Sequence, residues 1–338
     1  PSYLQQTQRR ALMIQALRRE FDLRESLRMN AENTKQQLIQ LTDEQYDLID
    51  HFDLELNPRM MVEGTAGSGK TLCAVELAKA QAAMGRKTLV TCFNKKLASH
   101  LRNGPLADYP DVEVTYFHKL MEDICREHDI DLAESKKTQI EDVYFQQELP
   151  KLCQKALTLH SVDITRYDAV IVDESQDLLL DDYLLIIDEL LVGGLKEGRW
   201  VFFSDANQSI FNLPHESAYS GLLSYGPSRH SLKYNCRNTT TTAGITKVLT
   251  GIDVGKTRAD GPTQSPIWYK DQGDQVRGIS RLVNRLLSEG LTVEQITILS
   301  HRRFSMSGVS EGLHGVSYEV YDWTADEGRP PPGKITFS

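Results

Sequence analysis

Residues 64–71, with the sequence GTAGSGKT, constrain the fold of this chain more than any other segment, because they match the phosphate-binding pattern G-x-x-x-x-G-K-[ST]. An apolar run precedes them and an alanine- and leucine-rich stretch at residues 72–83 follows them, which predicts a strand, a loop and a helix. Such a loop wraps a phosphate with its backbone N–H groups, while its lysine reaches the terminal phosphates and its hydroxyl binds Mg2+. The structural alternative, a flexible Gly/Ser turn, is disfavoured by the flanking strand and helix. We therefore predict a nucleoside triphosphate site formed by Gly64, Thr65, Ala66, Gly67, Ser68, Gly69, Lys70 and Thr71.

From residue 41 onward, apolar strand patterns alternate with helical patterns, which predicts an α/β fold with a parallel sheet and helices on both faces. The first strands are expected at residues 60–63, 88–93, 112–115, 169–172 and 200–204. A polar, helix-rich insertion is expected at about residues 120–166. A second α/β unit is expected after Pro227, with strands at 230–234, 266–269 and 296–299 and a helix at 274–289.

Composition excludes several classes of protein. No apolar run is long enough to span a bilayer and no leader precedes the chain, so we expect no membrane association and a cytoplasmic location. The five cysteines are odd in number, scattered and without a C-x-x-C pair, which argues against a zinc site or a disulfide framework. The net charge of −9 is unfavourable for a nucleic-acid partner overall, although it does not describe a local groove.

A second signal is the segment VIVDESQD at residues 170–177, where a buried strand ends in two adjacent carboxylates. In phosphate-loop enzymes this edge of the sheet carries a metal-binding acid and an acid that activates water. Asp173 is therefore the predicted Mg2+ ligand beside Thr71, and Glu174 the predicted base. Acids at a helix start are the structural alternative for such a pair.

Asp-Glu-x-Gln-Asp after a phosphate loop resembles the UvrD/Rep group of superfamily 1 DNA helicases, and five further segments agree with that resemblance. They are LTDEQ at residues 41–45, TCFNKK at 91–96 with TYFH at 115–118, FSDANQSIF at 203–211, and YNCRN at 234–238. The resemblance implies ATP and Mg2+ as ligands, with Gln45 reading adenine, Gln208 sensing the γ-phosphate and Arg237 reaching the γ-phosphate from a second domain. It also implies that Asn94, Lys95, His118 and Phe211 contact single-stranded DNA. Taken singly, Asn94, His118 and Phe211 also suit ordinary structural roles.

The same resemblance implies a domain order. We expect an N-terminal helical linker at residues 1–40, a first RecA-like ATP-binding domain at 41–226 with the helical insertion, and part of a second RecA-like domain at 227–338. The arginine-rich linker pattern suits a packed amphipathic helix or a DNA-contacting one. Because the chain begins at Pro1 and ends in strand-like residues 334–337, before motifs V and VI, we expect a fragment that is incomplete for turnover.

Two departures from the family pattern limit the resemblance. Cys236 stands where the family usually has a tyrosine that stacks on adenine, and residues 212–214 replace a second aromatic and an arginine. The sequence around the loop also resembles helicases joined to nuclease-related domains, which suggests a fused or associated nuclease.

The leading hypothesis is an ATP-dependent DNA helicase or translocase that acts on single-stranded or partly duplex DNA. One alternative is an ATP-binding regulatory switch that closes on a protein partner without unwinding. Another is an RNA helicase of the same superfamily. Stimulation of hydrolysis by DNA or RNA discriminates among the three.

Overall fold

The computed structural model describes residue 54 and residues 56–132, 143–159, 165–205, 216–257, 260–261, 266–324 and 330–338. They fall into two compact units, one within residues 37–264 and one that includes residues 265–338. The predictions for the linker at residues 1–40 and for Gln45, Gln208 and Phe211 lie outside the described residues.

The first unit is an α/β domain. Its strands are β1 (Arg59–Gly64), β2 (Thr88–Cys92), β3 (Val112–Tyr116), β4 (Ala169–Asp173), β5 (Arg199–Ser204), β6 (Ser228–Leu232), β7 (Tyr234–Asn235) and β8 (Lys256–Thr257). Its helices are α1 (Lys70–Ala83), α2 (Lys95–Asn103), α3 (Phe117–Glu127), α4 (Leu149–Leu159), α5 (Asp181–Leu190), α6 (Gly194–Glu197), α7 (Glu216–Ser224) and α8 (Thr240–Thr250). A π-helical turn, Tyr144–Glu148, leads directly into α4.

Six strands form one parallel sheet in the order β3-β2-β4-β5-β1-β6. Its central strands are apolar on both faces because each face is covered by helices. On β5, Trp200 and Phe202 belong to the core shared with α3, α4 and α5, whereas Val201 and Phe203 belong to the core shared with α1 and α2. The predicted α/β fold with a parallel central sheet is confirmed.

This strand order sets the position of the site. The carboxyl ends of parallel strands lie at one edge of a sheet, where α/β proteins bind ligands. The phosphate loop follows β1, and the two acids follow β4. Between these strands lies β5, and Asp205 follows its last residue. The loop, Asp205 and the acids are therefore brought to one edge by three adjacent strands.

One strand differs from the sequence expectation. Residues 230–234 were expected to open a second unit after Pro227, but β6 pairs with β1 along its length, with Met60 opposite Ser228 and Gly64 opposite Leu232. The first unit consequently continues to about residue 264, and the expected boundary between residues 226 and 227 is corrected. Arg237 lies in the same unit as the phosphate loop, which differs from its expected place in a second domain.

The described part of the second unit contains helix α9 (Gln272–Ser288) and a three-stranded parallel sheet in the order β10-β11-β9, formed by β9 (Thr297–Ile298), β10 (Val320–Asp322) and β11 (Ile335–Phe337). Val276 and Val283 of α9 share a core with Ile335. No strand forms at residues 266–269, where one was expected. Within the described residues, no helix has the length and apolar character needed to cross a membrane.

Candidate nucleotide-binding site

The loop after β1 has the backbone conformation that its glycines allow. Gly67 and Gly69 have positive φ angles of 83° and 88°, values that residues with a Cβ rarely adopt. A Cβ on Gly64 would lie 2.3 Å from the Ser68 hydroxyl oxygen, so the two sides of the loop approach closely. The segment leads directly into α1 at Lys70, and the loop N–H groups lie at a helix N-terminus as phosphate binding requires.

Lys70 is almost completely buried at the centre of this loop. Its Nζ donates to the carbonyl oxygens of Gly64 at 2.8 Å and Thr65 at 3.2 Å. It also lies 3.6 Å from Asp205 Oδ2, and the two side chains are only 5% and 1% exposed. Asp205 is a residue to which sequence reasoning gave no role, although it lies inside the segment FSDANQSIF at residues 203–211 that carries part of the helicase resemblance.

Thr71 and Asp173, the two predicted metal ligands, are in direct contact. The Thr71 hydroxyl donates to Asp173 Oδ2 at 2.6 Å, although the residues are 102 positions apart. Mg2+ favours a few oxygen ligands from the protein, with phosphates and water completing its coordination. Among the described residues, no cluster of three or more His, Cys, Asp or Glu side chains could hold a metal. The hydroxyl and carboxylate pair therefore fits a Mg2+ ion that is bound together with a triphosphate.

Burial raises the pKa of Asp173 from 3.8 to about 6, an effect that the hydrogen bond from Thr71 partly offsets. Because the folded-state pKa is the higher one, the folded protein binds more protons than the unfolded protein between these pH values. The metal-free protein should therefore lose stability, on the order of 2 to 3 kcal/mol, as the pH rises from about 4 to about 6.

Asp173→Asn should remove this loss, because the amide is neutral and can keep hydrogen bonds to both neighbours. We expect the variant to be more stable than the parent protein at pH 7.5 without Mg2+, and to gain less stability from Mg-ATP. Urea unfolding at pH 5 and pH 7.5 measures this, with the exposed Asp108→Asn as control. A parent protein more stable than Asp173→Asn at pH 7.5 without metal would contradict the burial argument.

Glu174 has a strained backbone conformation for a residue with a side chain, with φ of 51° and ψ of 44°. Its N–H donates to Asp173 Oδ1 at 3.0 Å, and its Oε2 accepts from Gln176 Nε2 at 2.8 Å. Gln176 Oε1 in turn accepts from the Asp205 N–H at 3.0 Å, which connects the end of β4 to the end of β5. Strain of this kind costs about 1 to 3 kcal/mol and occurs often at functional sites.

A cavity of about 540 Å³ brings together seven of the predicted site residues, which are Ala66, Gly67, Gly69, Lys70, Thr71, Glu174 and Arg237. The cavity is also lined by Leu72 and Val75 of α1, by His100 and Leu101 of α2, and by Pro105, which follows α2. The cavity thus has a cationic and acidic end beside the loop and a more apolar side between two helices. The apolar residues of α1 and α2 carried no motif that sequence reasoning could use.

Two predicted DNA-contacting residues have intramolecular partners. Asn94 caps α2, because its Oδ1 accepts from the Leu97 N–H at 3.0 Å. The His118 ring stacks on Phe145 with centroids 4.6 Å apart, and its Nε2 lies 3.0 Å from the Tyr183 hydroxyl. Burial lowers the pKa of His118 to about 4, so the ring is neutral at pH 7.

The surface beside these residues is aromatic and basic. Phe93 is 38% exposed at the end of β2, and its ring packs edge-on against His118 with centroids 5.2 Å apart. Lys95, the third predicted DNA-contacting residue of the first unit, is exposed two positions later at the start of α2. Sequence reasoning assigned no role to Phe93, although its position next to Asn94 was a usable signal.

A family model described as an AAA domain matches residues 53–214, a little under half of the chain. Comparison with curated protein sequences finds no match. Three similar solved structures were compared. A DNA replication initiation factor has 13% sequence identity and a TM-score of 0.34, over 63% of this chain and 52% of that one. AMPPCP-bound DnaA from Aquifex aeolicus has 13% identity and a TM-score of 0.31, over 63% and 53%. Pif1 helicase on forked double-stranded DNA has 15% identity and a TM-score of 0.30, over 78% and 55%.

The chain spans about half the length of each of these structures. The AAA-domain match over residues 53–214 and the position of the phosphate loop after the first strand of a parallel sheet agree in indicating a P-loop nucleotide-binding domain. The predicted RecA-like P-loop fold and a nucleotide ligand follow from this. The assignment to the UvrD/Rep group, the link to a nuclease-related domain and the role of each residue stay predictions.

Proposed function

We propose that this protein is an ATP-dependent DNA helicase or translocase of the UvrD/Rep type, which couples ATP hydrolysis to movement on single-stranded DNA. The observation that supports it best is the single cavity that Lys70, Thr71, Glu174 and Arg237 share. A lysine, a hydroxyl beside a buried carboxylate, a second carboxylate and an arginine are the groups that phosphoryl transfer from ATP requires.

In the proposed reaction, ATP binds with its phosphates on the loop N–H groups, and Lys70 turns from the loop carbonyls to the terminal phosphates. Mg2+, bound with the phosphates at Thr71 and Asp173, would neutralise charge on the phosphate oxygens. Glu174 accepts a proton from water as the water oxygen bonds to the γ-phosphorus and the bond to the β-phosphate oxygen breaks. Arg237 stabilises the charge on the γ-phosphate. Gln45 and Gln208 remain proposed contacts to adenine and to the γ-phosphate.

We propose that single-stranded DNA contacts the loop after β2, which carries Asn94 and Lys95. Phe211 and the segment around His118 are proposed to complete this DNA-binding surface. The neutral, packed ring of His118 favours an indirect role for this residue, in which it supports Phe93. Stacking on an exposed aromatic ring suits a motor, because every base has a π-face and grip does not depend on sequence. We further propose that the residues after about residue 264 form part of a second RecA-like domain. A fused or associated nuclease domain is also proposed.

The test is steady-state ATP hydrolysis with no nucleic acid, with single-stranded DNA and with RNA of the same sequence. A helicase or translocase on DNA predicts that DNA raises the rate strongly and that RNA raises it less. Greater stimulation by RNA would support an RNA helicase instead. ATP binding with no stimulation by either would favour a regulatory switch and contradict the motor.

Phe93→Ala should weaken binding of single-stranded DNA by about 5- to 150-fold, since a stacked base is worth about 1 to 3 kcal/mol. ATP affinity without DNA should be unchanged, because Phe93 does not line the nucleotide cavity. Fluorescence anisotropy of a labelled oligonucleotide measures the loss. Met84→Ala is the control, because Met84 is an exposed apolar residue at the C-terminal end of α1. This variant should bind DNA like the parent protein. Equal DNA affinity in the two variants would argue against a stacking platform at Phe93.

A further inference from the structure

Asn235 is a completely buried polar residue that connects the phosphate loop to the segment carrying Arg237. Its Nδ2 donates to the carbonyl oxygen of Ala66, in the loop, at 2.9 Å, and to that of Val254 at 2.9 Å. Its Oδ1 accepts from the N–H groups of Arg237 at 3.1 Å and Asn238 at 2.9 Å. Both donors and the acceptor of the side chain are thus used, and this pattern fixes the orientation of the amide.

Neighbouring contacts also join the loop to the segment carrying Arg237 and to Val254. The Cys236 N–H donates to the Gly67 carbonyl at 2.7 Å, and the Thr65 hydroxyl donates to the Val254 carbonyl at 2.9 Å. Gly67 leaves no room for a side chain, because a Cβ would lie 2.6 Å from Asn235 Oδ1 and 2.8 Å from Arg237 Cβ. The loop that would hold the phosphates and the backbone that carries Arg237 therefore form one hydrogen-bonded assembly.

We infer that Asn235 is a positioning residue that sets the distance between Arg237 and the triphosphate. Its amide nitrogen holds the loop, and its amide oxygen fixes the backbone turn at Arg237. Arg237 is then carried by the same unit as the phosphate loop, where it lines the cavity beside Lys70 and Thr71. This inference rests on the proposed function, because it assumes that Arg237 contacts the γ-phosphate.

The experiment uses the full chain and Asn235→Ser. A serine hydroxyl can accept from the N–H groups of a following turn, as the Asn oxygen does. It does not reproduce the two N–H donors that reach Ala66 and Val254. Asn284→Ser is the matched control, since its Nδ2 also bonds a loop carbonyl, that of Gly315 at 3.1 Å, but in the other unit. Circular dichroism confirms that each variant is folded before binding is compared.

The first readout is the affinity of each variant for ATP and for ADP. Arg237→Ala should weaken ATP by about 10- to 100-fold through loss of a charged hydrogen bond, and ADP much less. Asn235→Ser should show the same selective loss, and the double variant should bind ATP no worse than Arg237→Ala alone, because both changes remove one interaction. Additive losses, or equal loss of ATP and ADP, would overturn the inference, since a merely structural residue weakens both ligands.

The second readout does not need nucleotide. Backbone amide exchange of the peptide that covers residues 234–241 should become faster in Asn235→Ser, because the segment loses its two side-chain bonds to Ala66 and Val254 and is tied less firmly to the loop, and should stay unchanged in Asn284→Ser. Unchanged exchange in Asn235→Ser would also overturn the inference. If the parent protein bound neither ATP nor ADP, the proposed function would fail, and the exchange measurement alone would decide whether Asn235 holds the Arg237 turn.

Discussion

Glu174→Gln is expected to slow ATP hydrolysis by about 10²- to 10⁴-fold, the usual contribution of a general base, while ATP remains bound. The amide has the size of the carboxylate but cannot take a proton from water. It also keeps an oxygen that can accept from Gln176 Nε2, the group that now holds Glu174 Oε2 at 2.8 Å. The strained backbone at residue 174 is unchanged by this substitution, so the geometry of the site should survive.

Phosphate release under steady-state conditions and binding of a fluorescent ATP analogue separate the two effects. Glu76→Gln is the matched control, because Glu76 is a partly exposed acid on α1 whose partner is Lys79. It should hydrolyse and bind ATP within about twofold of the parent protein, as surface substitutions do. Hydrolysis at the parent rate by Glu174→Gln would show that another group activates the water.

The parts of the site that follow from the sequence are those whose residues are close along the chain. The phosphate loop is a contiguous segment between a strand and a helix, so its pattern specifies its backbone conformation and the positions of Lys70 and Thr71. Asp173 and Glu174 could be placed because a buried strand ends at them, and parallel strands end at one edge of the sheet. The contact between Thr71 and Asp173 follows once the fold is known.

The parts that could not be predicted depend on partners far away in the chain. Asn235 bonds to Ala66 across 169 residues, and nothing in YNCRN indicates that its side chain is turned toward the loop. Likewise, His118 is held by Phe145 and Tyr183 from two other elements, which a local motif does not reveal. A histidine at position 118 suits DNA binding as well as packing, so the residue type does not distinguish the two roles. The burial of the side chain does.

Strand β6 was placed in the wrong unit for a related reason. Its sequence, SRHSL, alternates between partly buried and exposed residues, which suits an edge strand of any sheet. Its partner is decided by the hydrogen bonds that β1 has available on that side, and these are not visible in the local pattern. The consequence reaches the site, because the strand carries the chain back to the loop and thereby brings Asn235 and Arg237 to it.

The nucleotide site contains two cationic side chains, Lys70 and Arg237, which are held in place by different parts of the first unit. Lys70 is held by the loop itself and by Asp205 at the end of the neighbouring strand, so its position depends on the central sheet. The Arg237 backbone is held by the Asn235 turn, which lies outside the six-stranded sheet. A change in the sheet core should therefore affect Lys70 directly, whereas a change in the turn should affect Arg237 first and reach Lys70 only through the contacts with Ala66 and Gly67.

Lys70→Met is expected to abolish detectable ATP hydrolysis and to weaken ATP binding by about 10- to 150-fold, because hydrogen bonds to charged groups are worth about 1.5 to 3 kcal/mol. Methionine keeps an unbranched, flexible side chain of similar length but has no charge for the phosphates. The variant should also be less stable without nucleotide, since the Asp205 carboxylate, 1% exposed, loses the ammonium group 3.6 Å away. Removing one partner of a buried ion pair costs up to about 3 to 5 kcal/mol.

Thermal unfolding with and without Mg-ATP measures both effects on the same sample. A ligand that binds the folded state raises stability according to its concentration relative to its dissociation constant, so the parent protein should gain melting temperature with Mg-ATP and Lys70→Met should gain little. Lys79→Met, on the same helix, is the control: Lys79 pairs only across one turn with Glu76 at 2.8 Å in a partly exposed contact, and its loss should change neither value appreciably. An unchanged ATP-dependent shift in Lys70→Met would mean that the loop N–H groups bind the phosphates without the lysine, and that its buried contacts serve the fold alone.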